Sequence, residues 1–114
     1  MNFLLNNHQF FGKVAKTKKD IRNGMMFKTF NSPHNAMIFM MDNGKHCFWM
    51  KNCIIPLDIV FIKNKTVVKI HSNCQPCVSL KCDSYCGHGD MVIEFEGGTC
   101  MDKNIIEGDI LEFI

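Results

Sequence analysis

A single arginine, Arg22, stands among thirteen basic residues, which removes the planar fork most often used to read phosphates and guanine edges. The formal charge of +2 is close to neutral, so nothing compels a nucleic-acid partner. No stretch approaches the ~20 consecutive apolar residues of a membrane-spanning helix. The start, Met1 to His8, has neither a basic leader nor an apolar run of signal length. These absences lead us to expect a cytoplasmic protein with no membrane and no nucleic-acid partner. Gly-x-Ser-x-Gly, His-Glu-x-x-His, a phosphate loop and a dinucleotide fingerprint are also missing. No catalytic residue is therefore assigned, and enzymatic activity is not the leading expectation. Internal repeats and low-complexity segments are absent too, which argues against a second domain.

What is present suffices for one domain. A chain of 114 residues that is 46% hydrophobic can bury roughly two thirds of its unfolded surface without a metal or a disulfide clip. Residues 1–10 lack periodicity and read as an arm or an edge strand ahead of a single domain at 11–114. Phe11 to Ala15 reads as a short strand. Thr17, with Asp20 three residues on, resembles a capping box that opens a helix ending at Asn23 and Gly24. Ala36–Met41 and His46–Met50 flank Asp42-Asn43-Gly44-Lys45, the composition of a tight hairpin turn. Leu57–Ile62 and Thr66–Ile70 flank Lys63-Asn64-Lys65 in the same way. Ile59 to Ile62 is apolar on both faces and so predicts a central strand. His71 to Gly89 has no period and reads as a long loop. Met91 to Phe95 alternates, placing Met91, Ile93 and Phe95 inward and Glu94 and Glu96 outward. Ile110 to Phe113 reads as a closing strand. The pattern predicts a mainly β fold: a small, mostly antiparallel β-barrel of about seven short strands with one short helix, acting as a monomer.

Two groups of residues bear chemistry. Phe48 to Ile62 holds the only Trp and the strongest strand signal, yet it contains Trp49, Lys51, Asn52 and Asp58 as half-polar or polar positions. These four are the candidate ligand-binding residues, around a barrel mouth that would take a small molecule or a partner protein. Asp58 also admits a structural reading, as a clamp accepting from backbone N–H groups of the adjacent Asn52–Ile55 connector. A hydrolase using Asp58 is a lower-ranked alternative, because no nucleophile or second base accompanies it. The second group lies among the seven cysteines, as Cys74-x2-Cys77-x4-Cys82-x3-Cys86. Cys74, Cys77, Cys82 and Cys86 could hold zinc, making the loop a zinc-binding or thiol module, or they are free or structural thiols. Cys47, Cys53 and Cys100 are isolated and read as small core residues.

Several of these stretches also form an ordered set. Phe48-Trp49-Met50-Lys51-Asn52 with Pro56-Leu57-Asp58-Ile59 resembles the signature of the domain of unknown function 192 family, also called uncharacterised protein family 0127. Gly24-Met25-Met26, Met37-Ile38-Phe39, Pro76-Cys77 with Cys82, Glu94 to Gly98, and Gly108-Asp109 resemble further family motifs in the same order, over roughly Gly12 to Phe113. Ala36 stands where the family usually has Gly, and Lys28 where it usually has Arg. The resemblance implies a β-barrel and brings no catalytic residues with it. It also implies a local disulfide between Cys77 and Cys82, as suits exported relatives; in a reducing cytosol those two would be thiols or metal ligands.

Overall fold

The computed structural model describes residues 1–114, and its strands follow from the period-two spacing of apolar side chains. In chain order they are β1 (Asn2–Leu5), β2 (His8–Ala15), β3 (Ala36–Trp49), β4 (Leu57–Lys63), β5 (Thr66–Cys74), β6 (Ser84–Glu96) and β7 (Leu111–Phe113). Two helices, α1 (Lys18–Asn23) and α2 (Thr99–Asp102), complete the set, one more than expected. The strands form a single sheet in the order β5-β4-β6-β3-β2-β1-β7, curled into a half-barrel. Neighbours are antiparallel apart from β2 and β3, which run parallel. A parallel pair needs a crossover, and α1 with the segment after it supplies one.

Curling brings the two edge strands together at one end only. There Thr66 bridges Ile110, the Val67 N–H donates to the Asp109 carbonyl at 2.8 Å, and the Leu111 N–H donates to the Lys65 carbonyl at 2.7 Å. Partial closure hides part of each edge from other chains. The first ten residues, read from the sequence as an arm or an edge strand, form β1 and the start of β2. Phe3 and Leu5 are fully buried there, with Phe3 stacked on Phe10.

Both faces of the sheet are covered. The enclosed face packs Phe3, Phe10, Ile38, Val60, Ile62, Ile93, Phe95 and Leu111 into one cluster. The opposite face carries Met37, Phe39, Leu57, Ile59, Phe61 and Val92 in a second, roofed by Met25, Met50 and Cys53. Burial on this scale supplies most of the stabilisation, at ~1.5–3 kcal/mol for each large apolar side chain.

Local signals fared unequally. Thr17 caps α1, its Oγ accepting from the Asp20 N–H at 3.0 Å. Asn64 and Lys65 both take positive φ in the two-residue turn between β4 and β5, as the flanking strand twist requires. The hairpin expected at Asp42–Lys45 does not form. β3 runs through it as one long strand paired along β6, with an irregularity between Met40 and Gly44. The loop expected over His71–Gly89 shrinks for the same reason: β5 extends to Cys74, and Ser84–Gly89 pairs with Gly44–Trp49. The long strand lets Lys45–Trp49 pair with Ser84–His88, whereas a hairpin folded at Asp42–Lys45 would turn that segment back on Ala36–Met41 and leave Ser84–His88 without this partner. Gly87 makes the ribbon fit, since the Phe61 ring lies 2.6 Å from where a Cβ would be.

Candidate functional site

Asp58 sits at the second position of β4 and is fully buried. Its Oδ1 accepts from the Asn73 N–H at 2.7 Å and the Gly98 N–H at 3.2 Å, and its Oδ2 accepts from the Cys100 N–H at 2.8 Å. One carboxylate thereby ties the end of β5 and the start of α2 to β4. Lys51 lies elsewhere, its Nζ donating to the Ser79 carbonyl at 2.7 Å. Asn52 adopts a positive φ of 59°. Its N–H donates to the Cys77 carbonyl at 2.9 Å, and its own carbonyl accepts from the Phe27 N–H at 2.8 Å. Three of the four expected binding residues thus serve the backbone around them, and Trp49 alone faces a cavity.

That cavity has a volume of about 320 Å³ and lies between α1 with Gly24–Met26 on one side and β3 on the other. Met41, Phe48 and Trp49 form the β3 wall; Ile21, Met25 and Met26 form the opposite wall; Arg22 and His46 also line it. At the inner end is Glu94, expected to face solvent. Strand pairing sets it between Met37 of β3 and Ile59 of β4, on the same face as Val92. Only 3% of the residue is exposed. Its Oε1 is buried with no hydrogen-bond partner and lies 3.7 Å from the point where a Gly24 Cβ would be. Burial pushes its carboxyl up to about 8 from an ordinary 4.5, so at neutral pH it is mostly an uncharged acid, able to donate and to accept. Gly24 has φ +47° and its carbonyl accepts from the Lys28 Nζ at 3.2 Å. A residue at this φ that also lies over a carboxyl is best a glycine. Sequence reasoning missed Glu94 because it took one face of β6 as solvated. Met37, Phe39, Ile59, Phe61 and Val92, all apolar at alternate positions of their strands, were the signal available.

A second depression of about 370 Å³ is lined by Lys13, Lys28, Thr29, Asn31 and His34 among apolar neighbours. These polar side chains are all exposed, so it lacks a buried group awaiting a partner.

The four cysteines considered for zinc are divided. Cys77 is disulfide-bonded to Cys82, and Cys86 to Cys47 across the β3–β6 ribbon. Cys74 is a buried free thiol whose Sγ is within 3.5 Å of the His71 carbonyl. Burial first, then the nearby Asp58 and Glu94 carboxylates, raise Cys74 to about 11; burial and then Glu94 push Cys53 up to about 12. Such thiols stay protonated at neutral pH and are poor nucleophiles and ligands. As folded, Cys74, Cys77, Cys82 and Cys86 do not converge on one point. Breaking the Cys77–Cys82 bond with a double Ser substitution is expected to lower stability by ~2 kcal/mol, the loop-closure value for so short a ring. Cooperative urea unfolding should persist, because neither residue belongs to the buried core.

Residues 3–113 match a family model described as Uncharacterized ACR. Two crystal structures align over nearly the whole chain. A protein of unknown function from Novosphingobium aromaticivorans has a TM-score of 0.85 at 29% identity, covering 98% of this chain and 84% of that one. A protein from Sinorhizobium meliloti, described as a candidate transcription regulator, has a TM-score of 0.81 at 28% identity, covering 93% and 83%. No curated protein matches the chain. No helix is long and apolar enough to cross a membrane.

Proposed function

The chain belongs to the domain of unknown function 192 family, and from that premise we propose that it is a non-enzymatic binding module taking a small, largely apolar molecule into the cavity over Glu94. The observation that carries the reading is the unpartnered Oε1 of a buried carboxyl at the inner end of that cavity. Buried polar atoms are nearly always paired, and an exception beside a cavity of ligand size calls for a bound group. Trp49 would contribute a half-exposed ring on the wall. Lys51, Asn52 and Asp58 are engaged with backbone groups outside the cavity and are not part of it. The zinc or thiol alternative is weakened by the pairing of three of its four cysteines. The hydrolase alternative is weakened by the three N–H groups already held by Asp58. With one guanidinium in the chain, a nucleic-acid partner is not part of the proposal. Two disulfide bonds also favour an oxidising compartment over the cytoplasm expected from the sequence.

A fragment library followed by amide chemical shifts tests this. Hits should move Gly24, Met41 and the Trp49 indole together. Trp49→Ala should weaken those hits about tenfold, as loss of one aromatic contact of ~1 kcal/mol or more implies, and leave the melting temperature nearly unchanged. Shifts confined to other parts of the molecule would refute the proposal.

A further inference from the structure

The character of the cavity narrows the ligand, an inference that rests on the binding reading above. Glu94 is the only carboxyl among the lining residues, and its buried oxygen has no cation beside it. The charged and titratable neighbours come from every packed element. Arg22 of α1 is exposed; His46 of β3 is half-buried; Cys53 and Cys74 are neutral thiols; and Lys28 is engaged with the Gly24 carbonyl. An ammonium group would enter past the guanidinium of Arg22 and meet no second carboxylate. A carboxylate could pair with Arg22 only at the exposed rim, and at Glu94 it would set an anion against a buried carboxyl with no cation beside it. A neutral group carrying a donor and an acceptor side by side has neither difficulty. It can form two hydrogen bonds with a protonated carboxyl in a ring, as a primary amide or a lactam edge does.

We propose that the Glu94 cavity selects neutral ligands with an amide-type edge on an apolar body, the edge pairing with the Glu94 carboxyl and the body lying against Trp49 and Met41. Selectivity of this kind arises because any other head group leaves a buried donor or acceptor unmet.

Four probes with one ring and different heads test it: benzamide, benzylammonium, benzoate and toluene, each titrated while the Gly24 amide and the Trp49 indole are observed. Benzamide should bind about tenfold more tightly than the other three at pH 7, the worth of roughly one to two net hydrogen bonds. Its affinity should fall about tenfold between pH 7 and pH 9 as the carboxyl ionises near 8. Glu94→Gln retains an amide-pairing edge, so it should keep benzamide binding within about threefold and abolish the pH dependence, with His46 still present as a control. Glu94→Leu should bind benzamide no better than toluene. Tighter binding of benzylammonium or benzoate, or a pH dependence that survives Glu94→Gln, overturns the ligand class and leaves the cavity reading intact. If none of the four probes moves Gly24 or Trp49, the cavity reading itself fails.

Discussion

Asp58→Ala is expected to lower the unfolding free energy by at least ~3 kcal/mol, from three backbone donors left without an acceptor at ~1–3 kcal/mol each. The donors are Asn73, Gly98 and Cys100, and the last is wholly buried. Asn73 carries a positive φ of 50° and Gly98 one of 96°, so the carboxylate holds the irregular end of β5 and the turn before α2 in place. Domains of this size are stable by only ~5–15 kcal/mol, and such a loss should bring thermal unfolding near physiological temperature. Asp58→Asn separates charge from geometry: one oxygen remains, but an NH2 group then faces an N–H donor, so about half the loss is expected. Lys51→Ala removes a single exposed contact to the Ser79 carbonyl and should change stability by less than ~1 kcal/mol. Urea unfolding of the three variants decides this. A loss below 1 kcal/mol for Asp58→Ala would mean that water replaces the carboxylate and that the clamp is incidental.

Glu94→Leu is expected to act in the opposite direction. Its folded-state carboxyl titrates near 8 against an ordinary 4.5. Between those values the unfolded chain has released the proton and the folded chain retains it, so stability falls as pH rises through the window. The contribution is intact below about 4.5 and fully lost above about 8. Removing the carboxyl removes that slope. The variant should be about as stable as the wild type near pH 4 and more stable at pH 7 by on the order of 3 kcal/mol, at 1.36 kcal/mol per unit. Chemical unfolding across pH 4 to 9 gives the comparison directly. Parallel curves for the two proteins would place the Glu94 carboxyl in a more polar setting than the fold suggests. Under the binding reading proposed above, this gain in stability is expected to come with loss of ligand capture.

The parts of this fold that were legible in the sequence are those whose determinants lie within a few residues of one another. Thr17 and Asp20 cap a helix locally, Asn64-Lys65 turn a hairpin locally, and Leu57 to Ile62 declares its double burial by composition. Asn43-Gly44 carried an equally strong turn signal and was overruled, because its fate depended on Ser84–Gly89 pairing with the residues beyond it. Asp58 was recognised as a clamp candidate, but its donors lie 15, 40 and 42 residues away, not in the adjacent connector. Glu94 was misplaced by a rule that is sound for sheets with one wet face. Alternation gives parity and does not say which parity meets water; here both faces are roofed, and a carboxyl on either is buried.

The closing of the sheet also shapes how the protein folds. β7 pairs with β1 from the far end of the described strand order, with Phe3 opposite Phe113 and Leu5 opposite Leu111. Before that pairing forms, β1 waits with one row of N–H and C=O groups unpaired and the ring of Phe3 lacking part of its cover. Pairing across such a separation carries a loop-closure penalty that slows folding. Until β7 docks, the folding chain therefore presents a sticky flank along β1, the kind of edge on which chaperones act and chains aggregate.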